Sequence, residues 1–487
     1  MNQEHFDVIV VGAGISGIGA GYNLQKRCPN KSFVILEGRE NIGGTWDLFR
    51  YPGIRSDSDM HTMGFRFKPW RDEKMIADGP SIINYLKETV SENNLDKKIR
   101  FQHQVLNSSW SSSEGKWILE VSSQNKNLVK TFSCNFLMLC GGYYNYEEGY
   151  TPYFKGREEF KGKIVHPQKW TEDIDYKNKK VIVIGSGATA VTIVPAISKD
   201  AEKVTMVQRS PTYYLSAPDK DRVGNFLQKI FPIKTAYFLT RWKNILFGRY
   251  FYNKCLKDPE GVKKFLIDGV RSHLGDNFDI ETHFTPKYNP WDQRLCFVPN
   301  ADMFEALKAG KVSIVTDHID KFTENGIKLI SGEELEADLI ITATGLNLEF
   351  LNGIHFQVNN SSINISDKMA YKGMMFSDMP NLSATFGYTT ASWTLGADLT
   401  TEYVCKLINY MDKKGYDYCI PKIGEDVIEG KDYLNLSSGY IRRALKKMPK
   451  QGSRSPWKNT QNYLHDITEV RWGSIKNKDL TFKTANQ

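Results

Sequence analysis

Residues 12–17 read Gly-Ala-Gly-Ile-Ser-Gly, a turn that can hold a pyrophosphate. Glycines let the backbone approach phosphate oxygens, and the positive end of a following helix attracts their charge. An apolar run precedes the turn, and the next apolar run, at residues 32–36, ends at Glu37, 20 positions after Gly17. A carboxylate there accepts hydrogen bonds from ribose hydroxyls. The pattern predicts a dinucleotide site that comprises Gly12, Gly14, Ser16, Gly17 and Glu37.

The same plan recurs at residues 181–209. The turn at 185–190 reads Gly-Ser-Gly-Ala-Thr-Ala, and the apolar run after it ends at Arg209. An acid at that position would repel a ribose phosphate, whereas an arginine pairs with it in a forked geometry. The first turn therefore suits FAD and the second NADPH, although Arg209 could instead be a solvated charge at a strand end. The second site comprises Gly185, Gly187, Ala188, Thr189 and Arg209.

A flavin beside a nicotinamide cofactor implies hydride transfer, which narrows the class of enzyme. A disulfide reductase needs a redox-active cysteine pair, and the seven cysteines contain no CxxC motif. A simple oxidase has no need of the second turn, whereas a monooxygenase needs both turns and a site closed to water. Residues 41–46 contain Gly44, Thr45 and Trp46, which would run along the flavin and cover it. The alternative for this segment is an ordinary turn with a core tryptophan.

Residues 160–170 read FKGKIVHPQKW and match the pattern FxGxxxHxxxW. On this fingerprint the chain resembles the type I Baeyer–Villiger monooxygenases, a group of class B flavoprotein monooxygenases. Thr171 departs from the Pro or Asp that usually follows. The resemblance implies that His166 and Trp170 act as hinge residues, and a packed linker histidine is the alternative for His166. The fingerprint positions are Phe160, Gly162, His166 and Trp170.

Longer stretches are similar to the mycobacterial ethionamide-activating subgroup of that family, from about residue 6 to about residue 475. The resemblance implies that NADPH reduces FAD and that NADP then stays bound. It also implies that a flavin peroxide converts ketones to esters or lactones and S-oxygenates sulfides or thioamides. The stretches are 50–57 (RYPGIRSD), 208–213 (QRSPTY), 288–296 (YNPWDQRLC) and 387–395 (GYTTASWTL).

The resemblance also implies individual roles. Arg294 matches the active-site arginine, and arginine alone keeps its cation at any working pH. Asp57 matches its carboxylate partner beside the nicotinamide. A surface salt bridge is the alternative for Arg294, and a plain loop charge is the alternative for Asp57. Arg209 with Ser210 would hold the ribose phosphate, and Gln293, where many relatives have lysine, weakens the expected preference for NADPH over NADH.

Two other functions stay open. A flavin-containing monooxygenase would oxidise nitrogen or sulfur but handle ketones poorly, and a non-catalytic NADPH-binding redox sensor would use the same fold. Trp170 and Arg294 favour the Baeyer–Villiger hypothesis over the first alternative. Intact flavin turns together with Arg294 argue against the second.

The order of the apolar runs predicts an α/β fold with two Rossmann-like domains, one inserted in the other, and a helical insertion. Runs at 136–142 and 339–345 each end in glycine, and the second turn lies between them. The chain therefore leaves the first domain near residue 142 and returns near 346. Alternating segments between 97 and 135, with turns at 114–115 and 124–125, predict a small β-meander. We expect an FAD domain (1–142 and 346–487), an NADPH domain (143–214 and 295–345) and a helical insertion (215–294).

Composition narrows the class of protein. The 487 residues are 40% hydrophobic and 25% charged, with a net charge of +8 that does not demand nucleic acid as a partner. The cysteines are odd in number and widely spaced, which predicts neither disulfides nor a metal site, and places the chain in the cytoplasm. The uncharged windows 8–25 and 181–198 are explained by the two turns, so no transmembrane helix is expected. The expected partners are dioxygen and a small ketone or sulfur compound.

Residues 222–257 contain eight Lys or Arg, nine aromatic residues and no Asp or Glu. Such a stretch can lie on an acidic membrane surface, which leaves weak peripheral contact with the inner face of the membrane open. The favoured alternative is that the aromatic residues pack inside the helical insertion while the charges face water.

Overall fold

The computed structural model describes residues 4–123, 128–434 and 437–485, so the predicted turn at 124–125 lies outside the described residues. The described α-helices are α1 (Ile15–Arg27), α2 (Thr45–Leu48), α3 (Met60–Met63), α4 (Gly79–Glu92), α5 (Ala188–Ile197), α6 (Arg222–Ile230), α7 (Ile233–Lys257), α8 (Pro259–Leu274), α9 (Ile280–Phe284), α10 (Asp302–Lys308), α11 (Trp393–Lys414), α12 (Gly439–Ala444) and α13 (Tyr463–Arg471).

The described strands are β1 (Glu4–Val11), β2 (Phe33–Leu36), β3 (Ile99–Arg100), β4 (His103–Ser111), β5 (Lys116–Ser123), β6 (Leu128–Leu139), β7 (Tyr144–Gly149), β8 (Lys163–Val165), β9 (Lys180–Ile184), β10 (Lys203–Gln208), β11 (Tyr214–Ala217), β12 (Cys296–Pro299), β13 (Val312–Thr316), β14 (Ile319–Thr323), β15 (Gly326–Leu329), β16 (Glu334–Glu336), β17 (Leu339–Thr342), β18 (Leu346–Leu348), β19 (His355–Val358), β20 (Ser361–Ile363), β21 (Ala370–Tyr371), β22 (Met375–Phe376), β23 (Leu382–Ala384), β24 (Tyr418–Pro421), β25 (Glu429–Asp432), β26 (Lys450–Gly452) and β27 (Leu480–Lys483).

The larger sheet has the order β20-β19-β4-β5-β6-β1-β2-β3, and β23 also pairs with β6. β1 lies between β2 and β6, parallel to both, and Val8, Ile9 and Val10 are fully buried. Burial on both faces explains why this strand is an uninterrupted apolar run. The predicted β-meander forms from β4, β5 and β6, and it extends this sheet because β6 pairs with β5 on one edge and β1 on the other.

The second sheet has the order β13-β10-β9-β17-β8, and all its strands are parallel. Its central strands β9 and β10 carry the second glycine turn between them. Two sheets that each place a glycine turn between a central strand and a helix confirm the predicted α/β fold with two Rossmann-like units.

The chain passes between the sheets twice, at β7 and at β18. These two strands pair antiparallel, with Gly149 opposite Leu346 and Tyr144 opposite Leu348. After β18, strands β19, β20 and β23 all return to the larger sheet. The ladder lies where the chain was expected to leave and return, and the domain division itself stays a proposal.

Helices α6 to α9 fall between β11 and β12, which pair in parallel. This pairing holds the two ends of the helical segment together and places residue 294 just before β12. Among the described residues, none of the helices combines the length and apolar character needed to cross a membrane.

Candidate active site

One cleft of about 2300 Å³, its open mouth included, receives both glycine turns. The predicted residues Gly17, Gly185, Gly187, Arg209, Ser210, Phe160, Gly162, His166 and Trp170 are not part of its lining. The predicted residues that line it are Gly12, Gly14, Ser16, Glu37, Gly44, Thr45, Trp46, Asp57, Ala188, Thr189 and Arg294.

The first turn is built for close backbone approach. Gly12 has φ +99°, and a Cβ there would lie 2.8 Å from the Cα of Gly141. A Cβ on Gly17 would lie 1.8 Å from the carbonyl oxygen of Gly12, so Gly17 allows α1 to pack against the turn. Gly14 caps α1, whose first turn carries no acidic residue. The free amides at this helix end can therefore bind phosphate oxygens.

Glu37 anchors the turn and faces the cleft. Its two carboxylate oxygens accept hydrogen bonds from the backbone N–H of Ala13 (2.7 Å) and of Arg39 (2.9 Å). Burial raises the pKa of Glu37, and these two bonds lower it in part. Each carboxylate oxygen keeps a further lone pair, so Glu37 can still accept ribose hydroxyls.

Residues 43–46 lie against the first turn. Gly44 has φ +56°, and a Cβ on Gly44 would lie 3.2 Å from the Cα of Gly14. The two glycine segments therefore form a narrow cradle that side chains would fill. Trp393 closes one end, where its indole N–H donates to the Ser16 hydroxyl at 2.7 Å. This cradle fits a flat, phosphate-bearing cofactor.

The second turn also depends on glycines that allow close approach of other groups to the backbone. A Cβ on Gly185 would lie 2.3 Å from the carbonyl oxygen of Ala343, whereas a Cβ on Gly187 would meet nothing within 4 Å. Ser186 donates its hydroxyl hydrogen to the carbonyl of Ser210 at 3.1 Å, which ties the turn to the end of β10. Arg209 is exposed and pairs with no carboxylate in the described part of the chain. Its guanidinium is free to bind a phosphate.

Arg55 supplies a cation that sequence reasoning missed. One guanidinium nitrogen binds Asp302, while Nε and the second terminal nitrogen are buried without a partner among the described residues. A buried donor without a partner costs about 1–3 kcal/mol, so a bound group is expected there. Arg55 lines the cleft together with Asp57. An anionic cofactor would satisfy both free donors.

Arg294 lies on the wall of the cleft, and its side chain is exposed there. It also borders a smaller cavity of about 470 Å³, its open mouth included. The surrounding protein atoms lower the pKa of Arg294 by reducing its solvation, but Tyr440, Tyr143, Tyr144 and Asp57 raise the pKa by more, so the net pKa lies above its ordinary value. Arg294 therefore keeps its positive charge in this setting.

Asp57 lies on the same cleft as Arg294. Burial raises the pKa of Asp57, and Arg294 and then Arg55 lower it in part. Among the described residues no ion pair joins Asp57 to either arginine, so the predicted partnership acts through space rather than through a hydrogen bond. The gap between the three charges is open to the cleft.

Sequence comparison places this geometry in a family. The sequence model described as flavin-binding monooxygenase-like matches residues 6–383. The chain belongs to that family. The FAD-containing monooxygenase EthA of Mycobacterium tuberculosis is 51% identical over 480 residues, which cover 98% of each chain. The probable FAD-binding monooxygenase AlmA of an Acinetobacter species is 49% identical over 496 residues, which cover 100% of this chain and 99% of AlmA.

Solved structures show the same fold for this flavin-binding monooxygenase-like chain. An oxidised steroid monooxygenase bound to NADP superposes with a TM-score of 0.78 at 22% identity, over 99% of this chain and 100% of that one. Cyclohexanone monooxygenase from Rhodococcus sp. Phi1 bound to NADP+ gives 0.76 at 18% identity, with the same coverage. The predicted family and enzyme class, a flavoprotein monooxygenase of Baeyer–Villiger fold, are confirmed.

The fingerprint of this flavin-binding monooxygenase-like chain lies at the crossover between the sheets. His166 Nε2 is 3.0 Å from the carbonyl oxygen of Gly345, and its Nδ1 accepts the N–H of Gln168 at 3.2 Å. A Cβ on Gly149 would lie 2.0 Å from the imidazole, so the ring packs flat on the β7 end. Burial lowers the pKa of His166, which favours the neutral ring that donates through Nε2. His166 thus holds β7 and β18 together.

The other fingerprint residues pack around the second sheet. Phe160 is buried edge-on against Phe322, at 6.5 Å between ring centres. A Cβ on Gly162 would lie 2.5 Å from the Phe160 ring. Trp170 packs beside Tyr176 on the core of that sheet. These residues position the crossover and are not themselves part of the cleft lining.

Proposed function

We propose that this enzyme uses FAD, NADPH and dioxygen to convert ketones to esters or lactones, and that it also S-oxygenates sulfides or thioamides. The observation that carries the proposal is Arg294, which borders both the large cleft and the small apolar cavity. A permanent cation at that junction lies where an oxygen atom would pass from cofactor to substrate. When bound, NADPH supplies the hydride that reduces the flavin, and the reduced flavin supplies the electrons that activate dioxygen.

The residues present fit both cofactors. FAD would lie in the cradle of Gly12, Gly14 and Gly44, with its ribose on Glu37 and its pyrophosphate at the start of α1. NADPH would lie at the start of α5, with its extra phosphate on Arg209 and Ser210. The free donors of Arg55 fit the anionic part of a cofactor. The solved steroid monooxygenase of the same fold binds NADP.

The polar residues around Arg294 prepare the site for negative charge. A fixed guanidinium stabilises an oxygen that gains negative charge, and it acts more strongly where water is excluded. Tyr143 and Tyr440 line the small cavity beside Arg294. Asp57 partly offsets the positive charges of Arg294 and Arg55. It neutralises neither of them, because it forms no direct ion pair with either one in the described structure. The arrangement suits oxygen transfer better than simple hydride transfer.

The small cavity indicates the chemical class of substrate. It is lined mainly by aliphatic and aromatic side chains, including Leu348, Phe350, Phe386, Leu434 and Met448. Such a lining favours an apolar ketone or thioether whose polar atom points at Arg294, the one guanidinium in the described lining.

Product analysis with two variants of Arg294, one that removes the cation and one that keeps it, tests this function. The parent enzyme should give ester from a long-chain methyl ketone and sulfoxide from an aryl methyl sulfide, while it consumes NADPH. Arg294→Ala should lower ester formation by about 100-fold or more, which is typical for removal of one preorganised charge-stabilising group. Arg294→Lys keeps a cation and should retain more activity than Arg294→Ala.

Two outcomes contradict this assignment. Ester formation by Arg294→Ala at the parent rate would remove Arg294 from the chemistry. Sulfoxide without ester from the parent enzyme would favour a flavin-containing monooxygenase that oxidises nitrogen or sulfur only.

A further inference from the structure

Helices α6 and α7 present an apolar face to solvent, called here the α6–α7 face. The side chains used below are each more than half exposed. Five of the nine aromatic residues in 222–257 are exposed and the other four are buried or half-buried, so the favoured expectation that they pack inside the helical insertion holds only in part. Several exposed apolar side chains on two neighbouring helices often mark a binding surface. The members of the face used below are Phe226, Ile230, Phe238, Leu246, Phe247 and Tyr250.

The opposite side of α7 is firmly packed, so the exposed face cannot turn inward. The Tyr237 hydroxyl donates to the carbonyl of Phe65 at 3.0 Å. The buried Arg241 guanidinium donates to the carbonyls of His61 and Gly64, each at 2.7 Å. Helical spacing puts Leu246 and Tyr250 on the side away from these anchors.

Positive charge surrounds this face. Of the eight cations in 222–257, Arg241 pairs with Asp398 at 3.4 Å and Lys243 with Asp221 at 2.6 Å. The other six have no carboxylate partner in the part of the chain that the structure describes, and they are Arg222, Lys229, Lys234, Arg249, Lys254 and Lys257. A second copy docked through the same face would bring these cations against their own equivalents. The partner that suits the face is therefore apolar inside and negatively charged outside.

We propose that the α6–α7 face binds the surface of a membrane that contains acidic lipids. The aromatic and aliphatic side chains enter the boundary between headgroups and acyl chains, and the lysines and arginines bind lipid phosphates. Through Arg241, α7 also holds α3, which begins three positions after Asp57 on the cleft. Lipid binding itself does not depend on the proposed reaction.

Co-sedimentation of the flavin-loaded enzyme with vesicles tests the proposal. The parent should bind vesicles of phosphatidylcholine mixed with phosphatidylglycerol and leave pure phosphatidylcholine vesicles largely unbound. The variant L246S/F247S/Y250S should bind the acidic vesicles at least about tenfold more weakly. The variant K254Q/K257Q should bind about 30-fold more weakly, because each cation near an acidic surface contributes roughly tenfold or less.

Trp472→Ser provides the matched control, because Trp472 is 75% exposed and lies outside the face. That variant should bind acidic vesicles like the parent. Binding to neutral vesicles as strong as to acidic ones, or unchanged binding by both multiple variants, would overturn the proposal. A parent dimer that L246S/F247S/Y250S dissociates, without vesicle binding, would show that the face is a contact between copies and would also overturn it.

Discussion

At the scale of residues, three charged groups set the chemistry of the cleft. Arg294 and Arg55 bring two cations to Asp57, and neither forms a direct ion pair with it in the described structure. Two nitrogens of Arg55 are buried without a partner among the described residues, which is costly, so an anionic group bound there would stabilise the arrangement. Arg209 adds a third free cation at the second turn. Under the proposed function, Arg294 would act in oxygen transfer and Arg209 in cofactor selection.

Arg209→Glu should reverse the cofactor preference. The carboxylate would repel the ribose phosphate of NADPH and accept the free ribose hydroxyls of NADH, which should lower kcat/KM for NADPH by about tenfold or more. Steady-state kinetics with both nucleotides measure the ratio. Arg71→Glu makes the same charge change at an exposed site outside the cleft and should leave the ratio unchanged. An unchanged ratio in Arg209→Glu would refute the assigned role.

At the scale of elements, the β7–β18 ladder is the only pair of strands in the described chain that joins the two crossings between sheets. His166 packs on Gly149 in one strand and donates to Gly345 just before the other. We propose that the fingerprint acts here as a hinge, because one neutral imidazole clamps both crossings. Phe160 and Trp170 fix this hinge to the second sheet.

His166 should make stability depend on pH. Its pKa is lowered below the ordinary value of 6.5 in the folded chain, so below pH 6.5 the unfolded chain binds more protons. The stability that neutral His166 provides is therefore complete above pH 6.5 and is lost as pH falls toward the folded pKa. His166→Gln keeps a donor for Gly345 and does not titrate.

Thermal unfolding of parent and His166→Gln between pH 5 and 8 measures this effect. The difference in unfolding temperature should shift in favour of the variant as pH falls below 6.5. His465→Gln removes an exposed histidine far from the crossover and should leave the pH profile unchanged. Identical pH profiles for parent and His166→Gln would show that the ring is not held neutral by the fold.

At the scale of the whole molecule, the cleft exists because two sheets face each other across a loop. The segment at 49–57 follows α2 of the first unit and packs on the second, where Phe49 and Tyr51 join its core. Gly53 lets the loop lie on α5, since a Cβ there would be 2.7 Å from the Cβ of Ala196. This contact sets where Asp57 lies relative to the second turn.

Gly53→Ala should disturb both stability and activity. Its φ of +77° is unfavourable for alanine, and the new methyl group would meet α5, so a loss of about 1–3 kcal/mol is expected. Gly332→Ala offers a matched control, because its φ is +92° and a Cβ there meets nothing within 4 Å. Only Gly53→Ala should also slow NADPH oxidation, and equal effects of both substitutions on turnover would contradict this role of the contact.

The sequence by itself determined the two glycine turns, the fold class and the family, because these follow from local spacing within βαβ units. The role of Arg294 was predicted from a resemblance over a short motif alone, and Arg294 lies on the cleft in the structure. The free donors of Arg55 and the tyrosines around Arg294 were decided by the tertiary structure, since they depend on which distant segments meet. The same holds for the α6–α7 face: periodicity shows that a helix has apolar sides, and only packing decides which side finds a partner.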